Sequence, residues 1–157
     1  MRTVARSLAA AAVLALATGA SWAATCSVSA VTLGFGSYNP LALGHSDTTG
    51  NLEVTCEGIP GESVAYTMAV SAGGSGSFAA RRMRVASGQV LNYNLYTAPA
   101  RNVVWGDGSA GTLAVSDAVR LLTRRVTRNY PVFGRTFAGQ NVPVGLYTDS
   151  IVVTLVF

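Results

Sequence analysis

Apolar and polar side chains alternate along most of the chain after residue 26, which is typical of half-buried β-strands. Residues 51–56 and 64–70 show this period of two most clearly. The predicted strands are residues 28–35, 51–56, 64–70, 83–85, 90–96 and 131–134, followed by a final strand. Residues 112–128 are ambiguous, but their β-branched content favours strand and loop over helix.

The last seven residues predict a strand that is apolar on both faces. Ile151, Val153, Leu155 and Phe157 share one face, and Val152 and Val156 flank Thr154 on the other. This strand is expected to run over residues 151–157 and to begin as early as Leu146. A strand of this kind is normally covered on both faces and paired along both edges. Either an earlier strand of this chain or a segment of another molecule is expected to cover it.

About seven short strands, with turn signals every ten residues or so and no strong helical pattern, predict an all-β sandwich of one domain. The stretch AGGSGS at residues 72–77 is interpreted as a loop. A phosphate-binding loop of the Walker type needs a lysine, and the chain has none.

The N-terminal segment has the pattern of a secretory signal. Arg2 and Arg6 precede an apolar run over residues 8–18, and small residues follow at 21–23. The run is too short to span a bilayer. Cleavage is expected after Ala23, or one residue later at Ala24, which leaves a domain over residues 24–157 and a signal over residues 1–23.

Export makes a disulfide between Cys26 and Cys56 the expected state of the two cysteines. Two free buried thiols are the alternative. A metal site has less support, because His45 is the single histidine and two thiols alone make a poor cage.

The sequence offers no catalytic pattern. His45 lies near Asp47 in a glycine- and serine-containing loop, but no serine occupies a nucleophile elbow. Glu53, Glu57 and Glu62 bracket a turn and are expected to be solvated. The chain is therefore predicted not to be an enzyme and to use no cofactor, no metal and no small-molecule substrate.

Two arginine clusters, at residues 81–84 and 120–128, raise the possibility of nucleic-acid binding. Removal of the signal leaves nine arginines against seven acids, a net charge of only +2. No aromatic-rich basic motif accompanies the arginines, so nucleic acid is not an expected partner. We interpret both clusters as solvated faces, or as surfaces turned towards neighbouring subunits or an anionic cell surface.

An ordered set of short motifs covers the mature chain. These are Cys26, LGFG (33–36), VTC (54–56), LNYNLY (91–96), WGDG (105–108), VFGR (132–135) and GLYTD (145–149) before the terminal strand. In this order the motifs resemble the spore coat protein U domain, a family that includes subunits of archaic chaperone–usher pili.

The resemblance implies an immunoglobulin-like β-sandwich that lacks its final strand, with the disulfide joining its first two strands. It also implies three partners: a periplasmic pilus chaperone, an outer-membrane usher and neighbouring pilus subunits. The chaperone lends a strand to the open groove, and the next subunit replaces it. The groove residues expected from the resemblance are Val28, Ala30, Leu33, Phe35, Ile151, Val153, Leu155 and Phe157.

Only Ala24 and Thr25 would precede Cys26 after cleavage. Two residues span too little length to fill a groove with alternate side chains. Such a subunit is expected to accept a strand without donating one, which fits a tip or an initiating position. The expected location is the periplasm and then the cell surface.

Two other interpretations stay open. One is a self-sufficient secreted coat or matrix protein whose groove is closed by its own chain or by a second copy. The other is a surface adhesin that uses exposed aromatics such as Tyr38, Phe78 or Trp105. Core packing is the commoner fate of such side chains, and Trp105 in particular is expected to serve the fold.

Overall fold

The computed structural model describes residues 23–29 and 32–157, which form two antiparallel sheets packed face to face. The strands are β1 (Thr25–Ser29), β2 (Ser46–Glu57), β3 (Ser63–Val70), β4 (Arg81–Arg84), β5 (Val90–Tyr96), β6 (Val115–Arg120), β7 (Arg125–Thr136) and β8 (Val153–Val156). A single 3₁₀ turn, Gly73–Ser75, follows β3. In this part of the chain no helix is long and apolar enough to cross a membrane.

The larger sheet has the order β1-β2-β7-β5-β4, and the smaller has the order β6-β3-β8. The predicted all-β sandwich is therefore confirmed, and its form is immunoglobulin-like. Alternate residues of both sheets point into one core. The core residues that are essentially inaccessible to solvent are Val54, Cys56, Met68, Trp105, Val119 and Leu121.

Several predicted strand boundaries need correction. The first strand ends at Ser29, not at residue 35, and residues 32–39 belong to no strand. The final strand covers only Val153–Val156, and the chain at Leu146 is an exposed loop. The outer face of the final segment is also not covered by other residues of the chain, because Val152 and Val156 are each 63% exposed.

The short piece predicted at residues 131–134 is part of the twelve-residue strand β7. Proline cannot donate a ladder hydrogen bond. In the structure Pro131 pairs with Asn51 of β2, while β5 meets β7 only over residues 133–136. The strand therefore tolerates Pro131 at a point where only one side is paired.

Cys26 and Cys56 form a disulfide, which confirms the expected pairing. They lie directly opposite each other on β1 and β2, with Cα atoms 4.1 Å apart. The bond ties the edge strand β1 to the long strand β2. It thereby fixes one wall of the space between the two sheets.

An ion-pair cluster holds a loop on the outer face of the larger sheet. The Asp47 carboxylate accepts hydrogen bonds from Arg135 at 2.7 and 2.8 Å and lies 3.2 Å from Arg101. Arg101 has a positive φ of 52° and donates to the carbonyls of Thr48 and Gly134. The hydrogen bond from Arg135 is the main cause that holds the pKa of Asp47 below its usual value.

Replacement of Cys26 and Cys56 by serine should lower the free energy of unfolding by roughly 3–4 kcal/mol, the chain-entropy value for a loop of this length. Urea denaturation of the oxidised protein, the reduced protein and the double variant measures this loss. Equal stability of all three would show that the bond adds nothing to the fold.

Asp47→Asn should make stability less dependent on pH. Because the folded-state pKa of Asp47 is lowered, its carboxylate contributes its full stabilisation of the fold above the unfolded carboxyl pKa of about 3.9. This stabilisation is lost as pH falls through the folded-state pKa. The urea midpoints of wild type and variant should differ at neutral pH and converge as pH falls through the folded-state pKa of Asp47. Glu53→Gln is the control, because Glu53 is an exposed acid on the same face that forms no ion pair among the described residues, and this variant should match the stability of wild type at neutral pH.

Candidate functional site: an open groove between β1 and β8

The edges of β1 and β8 have no strand partner on their outer sides among the described residues, and these two edges lie side by side. Neither strand contains a charged residue. An unpaired, uncharged edge is a ready template for another strand.

The opposite pair of sheet edges is protected. The backbone of Thr148 exchanges two hydrogen bonds with Arg84, at 2.8 and 2.9 Å, and so covers β4. Strand β6 carries Asp117 and Arg120, and the Asp117 carboxylate accepts the backbone N–H of Ala118. Charge and local coverage discourage strand addition at both of these edges. The groove between β1 and β8 is thus the open side of the sandwich.

A cavity of about 250 Å³ opens between the two strands. Val28 and Leu33 line one wall, and Ile151 and Val153 line the other. Val70 and Val132 contribute to the lining from the two sheets. Four of the eight groove residues expected from the sequence therefore meet around one apolar space.

Three of the remaining expected groove residues, Phe35, Leu155 and Phe157, do not line this cavity. Phe35 lines an adjoining cleft, and Leu155 packs against the core further along β8. Phe157 is 55% exposed just beyond the strand. Ala30 lies outside the described residues.

Two glycines allow residues 32–36 to lie against the inner face of the larger sheet. A Cβ at Gly50 would lie 2.6 Å from the Leu33 side chain, and one at Gly134 would lie 2.8 Å from the Phe35 ring. Phe35 also packs edge-on against Tyr93, with ring centres 5.5 Å apart. Leu33 thus reaches the groove, and Phe35 reaches the adjoining cleft, from an irregular segment and not from the strand that the sequence predicted.

The start of β8 is held by the turn that follows β3. Ser71 donates its backbone N–H to the Val152 carbonyl, and its hydroxyl accepts the Val152 N–H, both at 2.9 Å. The Asp149 carboxylate accepts the Gly74 N–H at 2.9 Å and the Tyr93 hydroxyl at 2.7 Å. These bonds bracket Ile151 and fix the groove wall at that end.

Arg81 lies completely buried beneath this turn, so its assignment to a solvated arginine cluster is wrong. Its guanidinium donates to the carbonyls of Ser71 and Trp105 and to the Asn94 side chain. Burial lowers the pKa of Arg81, and burial together with the hydrogen bond to Asp149 raises the pKa of Tyr93. No pattern near Arg81 in the sequence indicates this burial, because its partners Ser71, Asn94 and Trp105 lie 10 to 24 residues away along the chain.

The other candidate functional side chains, His45, Trp105 and Phe78, bind or pack against residues of the fold. His45 accepts the Ala138 N–H through Nδ1 at 3.0 Å, and the neighbouring Asp47 is bound by Arg135. Trp105 is 1% exposed and donates to the Met68 carbonyl, as expected for a residue that serves the fold. Phe78 lies under Arg81, with the guanidinium carbon 5.2 Å from the ring centre.

Gly134→Ala should displace the Phe35 and Leu33 side chains and destabilise the fold by about 1–3 kcal/mol, the usual cost of overpacking. Gly44→Ala is the control, because a Cβ at Gly44 meets nothing within 4 Å. Thermal unfolding of both variants distinguishes the two sites. Equal melting temperatures would contradict the packing of residues 32–36 against this sheet.

The fold has a counterpart among solved structures. It is similar to a chain in the CsuC–CsuE chaperone–tip adhesion subunit pre-assembly complex from archaic chaperone–usher Csu pili of Acinetobacter baumannii, with a TM-score of 0.59 and 20% identity. The match covers 85% of this chain but only 40% of the other. At this identity the likeness shows the fold alone.

The sequence comparisons identify a family. Protein U of Myxococcus xanthus is 31% identical over 134 residues, which cover 80% of this chain and 72% of the relative. The sequence model of the spore coat protein U domain matches residues 10–154. The chain therefore belongs to the spore coat protein U domain family.

Proposed function

We propose that this chain is a structural subunit of a cell-surface fibre, assembled by the chaperone–usher pathway, and that the groove between β1 and β8 accepts a β-strand from another molecule. The observation that carries this proposal is the pair of facing, uncharged edges over an apolar cavity. An inserted strand would pair with the backbone of both edges and place alternate side chains inside.

Filling the groove would remove apolar surface from water. Val28, Leu33, Ile151 and Val153 line the space of about 250 Å³, and the apolar side chains of a donated strand would pack against them. The unpaired backbone groups of β1 and β8 would gain partners in the same step.

Three partners follow from this function: a periplasmic chaperone that donates a strand first, an outer-membrane usher and the neighbouring subunits. The structural relative supports the chaperone, because it is described as a subunit in complex with one. Localisation in the periplasm and then at the cell surface belongs to the same proposal. So does a secretory signal over residues 1–23, of which only Ala23 lies within the described part of the chain.

A tip position is the finer form of the proposal. It depends on cleavage after Ala23, which would leave too short a segment before Cys26 to fill a neighbour's groove. N-terminal sequencing of the exported protein tests it directly. A mature protein with a longer segment before Cys26, or one that polymerises with itself by strand exchange, would exclude it.

A self-sufficient coat protein is the second candidate, because Protein U is a relative at 31% identity. Co-expression with a periplasmic chaperone encoded beside this chain separates the two functions. A pilus subunit should be degraded or aggregate alone and should form a stable one-to-one complex with the chaperone. A coat protein should fold unaided and run as a monomer or dimer.

Val153→Asp and Leu155→Asp should each weaken capture by the chaperone. Each variant places an unpaired charge on the inward face of β8, and a penalty of roughly 3 kcal/mol weakens binding about a hundredfold. Purification of the complex, followed by titration of the chaperone, measures the loss.

Thr154→Asp is the matched control. Thr154 lies on the same strand but its side chain is exposed on the outer face. This variant should bind the chaperone as wild type does. If Thr154→Asp is as damaging as Val153→Asp, the assignment of the groove face of β8 is contradicted.

A further inference from the structure

Two exposed aliphatic side chains lie in neighbouring turns at one end of the sandwich. Ile59 lies in the turn of residues 58–62 between β2 and β3, and Leu122 lies in the turn of residues 121–124 between β6 and β7. Their side chains are 57% and 78% exposed, and neither residue lines the groove or the cleft beside it. These two turns are called the tip below.

Backbone hydrogen bonds join the two turns of the tip. The Gly58 N–H donates to the Arg124 carbonyl at 3.0 Å, and the Gly61 N–H donates to the Leu121 carbonyl at 2.7 Å. Leu121 is completely buried and anchors its turn in the core, while Leu122 beside it is exposed to solvent. The exposure of the two aliphatic side chains is therefore a fixed feature of the fold.

Four exposed arginines follow the chain through the second turn: Arg120, Arg124, Arg125 and Arg128. Residues 120–128 contain no acid. Arg125 donates to the Glu57 carboxylate from Nε at 2.7 Å. Among the described residues the other three arginines form no salt bridge, so their charges are available to a partner.

Three acids accompany these arginines in the fold: Glu57, Glu62 and Asp117. Glu57 is occupied by its ion pair, and the half-buried Glu62 lies with its carboxylate 3.4 Å from the Ile59 nitrogen. The hydrogen bond from Tyr130, at 2.5 Å, is the main cause that lowers the pKa of Asp117, and the charge of Arg128 is a smaller one. Arg128 is thus partly balanced, whereas Arg120 and Arg124 are not.

An apolar tip flanked by arginines suits the surface of an anionic membrane. Arginine forms paired hydrogen bonds with phosphate groups, and its charge is attracted to a negatively charged lipid surface. Aliphatic side chains gain by leaving water for the boundary between headgroups and acyl chains. An ordinary protein interface takes about 800 Å² from each partner, which a pair of short turns does not supply. Lipids can rearrange around so small a tip.

We propose that the tip docks on the surface of an anionic phospholipid membrane, with Ile59 and Leu122 inserted among the headgroups and with Arg120 and Arg124 bound to lipid phosphates. This inference goes beyond the proposed function, because it requires no strand in the groove. It assigns a ligand to the second of the two arginine clusters in the sequence.

The test measures co-sedimentation of the exported protein with vesicles of phosphatidylglycerol and phosphatidylethanolamine, and with vesicles of phosphatidylcholine as the uncharged comparison. If the protein aggregates alone, its complex with the chaperone is used, and the chaperone alone is the blank. Two double variants alter the tip: Ile59→Ser/Leu122→Ser and Arg120→Gln/Arg124→Gln. Their matched controls remove equally exposed side chains elsewhere: Leu41→Ser/Leu43→Ser and Arg82→Gln/Arg84→Gln.

The controls lie far from the tip. Leu41 and Leu43 precede β2, whereas the tip follows it, and β2 is twelve residues long. Arg82 and Arg84 lie on β4, whose neighbour β5 meets β7 only at the end of β7 that is remote from the tip. Circular dichroism of all the variants confirms that each is folded before binding is compared.

We expect wild type to bind the anionic vesicles and not the uncharged ones, and added salt to weaken this binding. Loss of the two arginines should weaken binding on the order of thirtyfold, at about fivefold for each arginine. Loss of the two aliphatic side chains should weaken it at least about tenfold. Both controls should bind as wild type does.

Several results would overturn the inference. Wild type that binds neither kind of vesicle excludes a lipid surface. An equal loss in Arg82→Gln/Arg84→Gln means that binding follows overall charge and not the tip. If Ile59→Ser/Leu122→Ser binds as wild type does, the tip does not enter the membrane; if this variant instead changes from a dimer to a monomer on gel filtration, the tip is a contact between two copies of the chain. Chaperone capture of Val153→Asp tests the groove separately, so failure of the tip and failure of the proposed function are distinguishable.

Discussion

The requirement that backbone N–H and C=O groups find partners dominates this structure. A β-sandwich satisfies its interior strands by pairing, and its edges must be covered, charged or left to water. Two edges are protected here. The backbone of Thr148 covers β4, and β6 carries the charged residues Asp117 and Arg120. The other two, β1 and β8, lie next to each other without charge and with an apolar space between them.

The rest of the fold holds these two edges in place. The disulfide fixes β1 on β2, and the hydrogen bonds of Ser71 and Asp149 fix the start of β8. Buried Arg81 supports that turn from below by binding the Ser71 carbonyl. Gly50 and Gly134 let Leu33 and Phe35 approach the inner face of the sheet, which shapes the floor between the edges. A groove that is rigid before binding loses little entropy when it accepts a strand.

The sequence predicted the features that follow from local periodicity. The alternation of apolar residues identified β3 and residues 51–56 of β2, and it identified Val153 and Leu155 as the inward side of β8, with Ile151 just before the strand. The predictions from sequence failed where contacts with residues that are distant along the chain outweigh the local alternation of apolar and polar residues. The apolar run at residues 28–35 looked like one strand, but Leu33 and Phe35 leave the sheet because glycines on β2 and β7 offer them a closer packing site. Arg81 looked solvated because nothing in its neighbours along the chain shows that Ser71, Asn94 and Trp105 surround it.

The groove could be placed on β1 and β8 from the sequence, since the family resemblance and the apolar last strand both indicate it. The adjoining cleft could not be predicted, because it is formed by loops that are about 100 residues apart in sequence and meet through Tyr38 and His45. Long-range contacts of this kind have no signature in a single sequence.

Amide hydrogen exchange on β1 and β8 tests the central claim most directly, with and without a bound chaperone. If a strand is missing, the outward-facing amides of β1 and β8 should exchange quickly in the free protein and slowly in the complex, while those of β2, β3 and β7 stay slow in both. Slow exchange at β1 and β8 in the free monomeric protein, equal to that of the central strands, would contradict the account.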